Sequence, residues 1–121
     1  MEIASYEEVG REAWDAFCLE SDDAWFLHTA LWLEYTLAYR PDAQGQNQSF
    51  AVVDRGLILA VCPLIIERAG EEGSDFSELA FAGEPCPVPA LKNGLGAKNR
   101  TKVTDLVLSL IHISEPTRPT P

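Results

Sequence analysis

The chain has 121 residues, 46% of them hydrophobic, and a mean hydropathy near zero, at −0.06. This is enough apolar material for one compact domain and too much for a disordered chain. Nineteen Asp and Glu against nine Lys and Arg leave a formal charge of −10. That balance argues against DNA binding and against docking on an anionic membrane, since both depend on clustered cations. Three cysteines, Cys18, Cys62 and Cys86, fit neither a disulfide framework nor a zinc-ribbon spacing, so reduced thiols are expected. The opening residues MEIASYEEVGREAW lack the basic and apolar regions of a secretion signal, and the longest apolar run, Leu57 to Ile66, is too short to cross a bilayer. The expected setting is cytoplasmic, without a membrane span.

Ser5 followed by Glu8 forms a capping-box pattern, and Val9, Ala13, Ala16, Phe17 and Glu20 follow at helical spacing, predicting a first helix over 6–20. Ser21-Asp22-Asp23 breaks it, because these side chains compete for backbone hydrogen bonds. Trp25-Phe26-Leu27 reads as a short extended run. Thr29 is the predicted N-cap of a second helix reaching Ala38, with Leu31, Trp32 and Tyr35 on its buried face. Arg40-Pro41-Asp42 ends it, and 44–48 is a polar loop. Phe50 to Val53 and Leu57 to Ile66, joined by Asp54-Arg55-Gly56, predict a β-hairpin. Pro63 has no N–H to give a ladder and marks an edge or a bulge. Residues 70–74 form an exposed acidic loop, Leu79-Ala80-Phe81 a third short strand, and 83–89 a rigid proline-rich loop. A third helix starts near Ala97, with Val103, Leu106 and Val107 on one face. There is no internal repeat and no domain linker, and the element order indicates an α/β (α+β) fold.

The stretch Leu108 to Arg118, LSLIHISEPTR, matches residue for residue one reading frame of a transposon-based library adapter. The expected division is therefore 1–107 as domain and 108–121 as an adapter-derived tail. Leu110 and Ile111 extend the helical periodicity, so a helix is expected to run into the tail until Glu115-Pro116 stops it. His112 and Ser114 are given no mechanistic role.

Among candidate chemical groups, His28 has the chemistry of a general base, but no nucleophile or orienting carboxylate can be assigned to it. A structural role is expected. Cys62 and Cys18 read as core thiols, whereas Cys86 lies in a loop beside Glu84, whose charge disfavours a thiolate. Gly94-Leu95-Gly96 precedes a helix, as phosphate cradles do. It lacks both the full dinucleotide fingerprint and a long preceding strand, so a plain helix-entry turn is expected. Trp14, Trp25 and Trp32 read as core rather than as an aromatic platform. Asp15, Glu20, Asp22 and Asp23 show no metal-ligand pattern.

The segment Trp25-Phe26-Leu27-His28-Thr29-Ala30-Leu31-Trp32-Leu33 resembles the aromatic "F-x-T/S-x-x-W" opening of GNAT-like acyltransferases, closest to the branch related to the Fem-type peptidoglycan aminoacyltransferases. The strand Leu57-Ile58-Leu59-Ala60-Val61-Cys62-Pro63-Leu64 and the loop Gly83-Glu84-Pro85-Cys86-Pro87-Val88-Pro89 follow in the family's order, and the resemblance spans about Ile3 to Val107. It implies a partial mixed sheet with two N-terminal helices, a hairpin, a third strand and a further helix. It also implies transfer of an acyl or aminoacyl group to an amine, by positioning the amine and stabilising the tetrahedral oxyanion with backbone donors. The implied donor is acyl-coenzyme A or an aminoacyl-tRNA, and the implied acceptor a small-molecule or peptidoglycan-precursor amine. In such domains the pyrophosphate-binding turn follows the central strands and precedes a later helix. No such strand-to-helix turn is evident in the sequence, and no catalytic or cofactor-binding residue is carried over. The loop holding Gly83, Glu84, Pro85 and Pro87 is the candidate lining of an acceptor cleft, with a rigid structural connection as the alternative. The expectation is an enzyme fragment, inactive alone, whose sheet ends on an unpaired edge. The alternative is a small acidic, non-catalytic interaction module.

Overall fold

A computed structural model describes residues 1–39, 46–68, 77–79 and 88–114. At its centre is the predicted hairpin, formed by β3 (Phe50–Asp54) and β4 (Leu57–Cys62). Arg55 and Gly56 both take positive φ, 52° and 79°, the two-residue turn whose twist matches the strands it joins. In the ladder Val52 faces Ala60 but Val53 faces Ile58, so Leu59 is an extra residue and forms a β-bulge. The bulge turns Leu59 and Ala60 toward the same core cluster.

Two short strands extend this hairpin into a four-stranded antiparallel sheet of order β1-β3-β4-β7. On one side β1 (Glu2–Ser5) pairs with β3, and on the other β7 (Ala90–Leu91) pairs with β4. A second sheet of order β2-β5-β6 holds β2 (Gln46–Asn47), β5 (Ile65–Arg68) and β6 (Ser77–Leu79), again antiparallel. Helices α2 (Arg11–Glu20) and α3 (Ala30–Tyr39) cover one face of the larger sheet, where Trp14, Phe17, Cys18 and Leu33 meet Ala51, Val61 and Ala90. Helix α4 (Ala97–Ser114) covers the other face, where Val103 and Val107 meet Val52, Ala60, Cys62 and Leu91. Burial on both faces is why β3 and β4 are almost uninterruptedly apolar. The fold class is thus the expected α+β, and none of its described helices is long and apolar enough to cross a membrane.

Several local expectations are corrected. The predicted first helix is two: α1 (Tyr6–Val9) carries the Ser5–Glu8 capping box, and Gly10, at φ 87°, breaks the chain before α2. Helical spacing runs through Gly10, but its left-handed backbone ends one helix and begins another. Trp25-Phe26-Leu27 is not extended, since residues Phe26–His28 form a 3₁₀ turn. Thr29 does sit at the start of α3, its hydroxyl accepting from the Trp32 N–H at 3.4 Å. The buried face of α3 is corrected in part: Trp32 packs against the core as predicted, but Leu31 and Tyr35 are 67% and 49% exposed, whereas Leu33 and Thr36 are buried. Apolar residues surround this helix, so periodicity cannot choose a face. Gln46 and Asn47 are a strand rather than loop because β5 offers them a partner.

The single strand expected over Leu57 to Ile66 is two, because Pro63 ends β4 instead of marking an edge or a bulge within it. The chain leaves the first sheet there and re-enters pairing as β5. The Leu64 N–H that follows is satisfied by the buried Ser49 hydroxyl at 2.8 Å, and the Gln48 N–H donates to the Leu64 carbonyl at 2.8 Å. The third strand is Ser77–Leu79. Ala80, Phe81, Arg40-Pro41-Asp42, the 70–74 loop and 115–121 lie outside the described residues. Helix α4 continues through the start of the adapter-like stretch, with Leu110 and Ile111 packed against the Val103 cluster, as their periodicity predicts.

Removing the Ser49 hydroxyl leaves the buried Leu64 N–H without an acceptor. Ser49→Ala is expected to lose about 1–3 kcal/mol of stability, measured by urea unfolding.

Candidate functional site

Strand β7 has only two residues, and the chain from Glu20 to Asp23 holds it in place. The Ser21 hydroxyl donates to the Leu91 carbonyl at 2.7 Å, and the Leu91 N–H donates to Asp23 Oδ2 at 3.1 Å. The Asp22 N–H donates to Asn93 Oδ1 at 3.0 Å, and Asn93 Nδ2 donates to the Glu20 carbonyl at 2.7 Å. On the opposite side the Lys92 N–H donates to the carbonyl of the bulged Leu59 at 2.8 Å. Both outward-facing backbone groups of Leu91 therefore have partners, and the sheet edge expected to stand open is closed at that residue.

A second set of contacts centres on His28. The imidazole is buried, its Nδ1 accepting from the Trp25 N–H at 3.2 Å and its Nε2 lying 2.6 Å from the Val88 carbonyl. A nitrogen that accepts a backbone N–H carries no hydrogen, so the ring is the tautomer protonated on Nε2, which donates to Val88. The His28 carbonyl accepts from Trp14 Nε1 at 2.7 Å and from Cys18 Sγ at 3.6 Å. Both ring nitrogens are engaged with backbone, which leaves none to take a substrate proton, and the structural role expected of His28 holds.

These two sets of contacts position the segment that leads into α4. Gly94 has φ 82°, and the Gly96 carbonyl accepts the Arg100 N–H at 2.9 Å, so Gly96 stands at the helix N-cap. Glycine has no side-chain oxygen to cap with, and the first-turn N–H groups of a helix have no intrahelical acceptor. A Cβ at Gly94 or Gly96 would meet nothing within 4 Å, so the turn opens onto free space. The first turn of α4 contains no acidic residue. Lys92, Lys98, Arg100 and Lys102 are four of the chain's nine Lys and Arg, and no Asp or Glu lies between Glu84 and Asp105. Arg100 is paired with Asp23 at 3.5 Å, whereas Lys92 and Lys98 are exposed. The result is a cationic, donor-rich helix entry on an otherwise acidic molecule, suited to an anion. The strand before this turn is the two-residue β7, so the glycines enter a helix without the long preceding strand of a phosphate cradle, as expected.

The aromatic residues separate into two groups. Trp14 is fully buried in the core, as expected, but Trp25 and Phe26 are 55% and 57% exposed. Edge-to-face contacts join Trp25 to Phe26 at 5.1 Å and Phe26 to Trp32 at 5.3 Å, and Trp32 stacks on Tyr35 at 5.1 Å. Trp25, Phe26, Leu19, Leu31 and Asp15 line a surface groove of about 630 Å³. The reading of all three tryptophans as core is corrected: only Trp14 is wholly so, because the chain around Trp25 follows the 3₁₀ turn instead of entering the sheet.

The proposed acceptor-cleft residues Gly83, Glu84, Pro85 and Pro87, with Cys86, lie outside the described residues. Cys62 and Cys18 are buried core thiols, and among the described residues no group of His, Cys, Asp or Glu is placed to hold a metal ion. The basic cluster around the helix entry was overlooked in the sequence. Its signal was a local run of cations in a chain of opposite sign. No protein-family model, curated protein or solved structure matches the chain.

Two outcomes follow from this geometry. His28→Ala is expected to cost about 2–4 kcal/mol of stability, since it opens a cavity and strips partners from the Trp25 N–H and the Val88 carbonyl. Urea unfolding measures it. Burial, assisted by the Asp15 charge, pushes the Cys18 thiol from 9.0 up to about 12. Its protonated form is therefore favoured in the folded state. Stability contributed below pH 9 is lost as the pH rises from 9 toward 12, and Cys18→Ala should flatten that part of a melting-temperature profile.

Proposed function

We propose that this chain is the N-terminal part of a GNAT-like, Fem-related acyltransferase domain that forms an amide between an acyl or aminoacyl group and an amine acceptor. The reading is supported above all by one observation: β7 leads through Gly94-Leu95-Gly96 into the cationic N-terminus of α4. The turn follows the hairpin and precedes a helix, the chain order that the resemblance implies for a pyrophosphate-binding turn, and that order supports the reading. The N–H groups of Ala97, Lys98 and Asn99 would meet phosphate oxygens, with Lys92 and Lys98 supplying charge. Acyl-coenzyme A and aminoacyl-tRNA both present such phosphates. The acceptor would be a small-molecule or peptidoglycan-precursor amine. No described side chain is assigned to proton transfer, and the chain alone is expected to bind donor without turning it over.

The Gly96→Asp variant provides the test. Aspartate is a good N-cap, so the helix should be as stable or slightly more stable, by a few tenths of a kcal/mol, while its carboxylate occupies the anion position. Calorimetric titration of the full chain with coenzyme A should show binding that weakens with salt and disappears in Gly96→Asp. Equal binding by both chains would overturn the assignment of the turn.

The alternative is a small acidic, non-catalytic interaction module. It is favoured by the closed edge at Leu91, where a further strand would have to displace Ser21 and Asp23, and by the exposed aromatic groove.

A further inference from the structure

The groove beside α2 and α3 has properties that the acyltransferase reading does not use. Leu19 is 88% exposed, Leu31 67%, Phe26 57% and Trp25 55%, and all four line it. Large apolar side chains exposed singly are ordinary, but a contiguous group around one depression marks a contact surface. Trp32, packed edge-to-face against Phe26, has no hydrogen-bond acceptor for its buried indole nitrogen among the described residues.

The charge around the groove indicates what would cover it. Residues 1–39 carry nine Asp and Glu against one cation, Arg11. Arg11 is held by Glu34 at 2.8 Å. The groove itself includes Asp15, and Asp22 and Asp23 lie in the adjoining turn. Asp23 is paired with Arg100 at 3.5 Å, which leaves Asp15 and Asp22 as the carboxylates nearest the groove, and no described Lys or Arg lines it. A second copy presenting the same surface would set these carboxylates against one another, which disfavours a symmetric pair.

We infer that this groove is the docking surface for a basic amphipathic segment of another protein, an α-helix bearing leucine-like anchors on one face and Lys or Arg around them. The anchors bury against Leu19, Trp25, Phe26 and Leu31. The cations face the carboxylates of the surrounding helical layer. This is the helix-in-groove mode of recognition, with aromatic anchors at its centre and charge fixing partner choice. It holds whether or not the α4 turn binds a donor.

The test uses the full chain and two fluorescent synthetic helices of about 18 residues, five turns long, one patterned with Leu and Lys and the other with Leu and Glu. Anisotropy titration should give saturable binding of the Leu/Lys peptide that weakens with salt. The Leu/Glu peptide should bind at least about tenfold more weakly. Phe26→Ser and Leu31→Ser, both at exposed positions, should each weaken the Leu/Lys peptide by about tenfold or more. Leu57→Ser, at an exposed apolar position on the hairpin, should leave binding unchanged. Equal binding by all variants would mean that charge alone attracts the peptide and would overturn the groove. Equal binding of both peptides, or of neither, would overturn the partner class. Sedimentation of the unliganded chain completes the test, because a dimer abolished by Leu31→Ser would assign the groove to a second copy instead.

Discussion

Two residues of strand give almost no pairing energy by themselves, and β7 exists because the turn after α2 closes around it. Ser21 and Asp23 satisfy the outward carbonyl and N–H of Leu91, while Asn93 and Glu20 tie the next residues to the helix end. These bonds join parts of the chain some seventy residues apart. They decide where β7 ends and therefore where α4 begins. If they are lost, the bulged Leu59 loses its partner Lys92, and the Gly94-Leu95-Gly96 turn loses its fixed position on the sheet.

His28 performs the matching task one layer away. Its carbonyl gathers Trp14 and Cys18 of α2, while its ring bridges Trp25 and Val88. A histidine with all its polar groups committed to structure is a poor acid or base but a good spacer. It sets the 3₁₀ turn that leaves Trp25 and Phe26 facing outward. The cationic helix entry and the aromatic groove thus both adjoin one laced region, the turn from Glu20 to Asp23.

The hairpin and the helix from Ala97 were legible because their signals are local: alternating and continuous apolar runs, turn residues, and a periodicity anchored by Val103 and Val107. The capping box at Ser5 and Glu8 was legible for the same reason. What escaped were β1, β2 and β7, strands of two to four residues whose existence depends on a partner elsewhere in the chain. The face of α3 also escaped, since leucine and aromatic residues surround it. In the candidate site, Gly94 and Gly96 were legible as a helix-entry turn, whereas the two-residue β7 before them was not, and the neighbouring cations were hidden within a strongly acidic total.

The sequence by itself determined the α+β class, the central hairpin, the core character of Cys18 and Cys62, and the structural character of His28. Each follows from the chemistry of a residue and its near neighbours. Only the tertiary structure decided which aromatic rings are core and which are surface, and that Leu91 is a closed edge. It also decided that a glycine turn stands between a strand and a cationic helix. Those outcomes depend on contacts between distant segments, and neither spacing nor composition records which distant partner will satisfy a given backbone group.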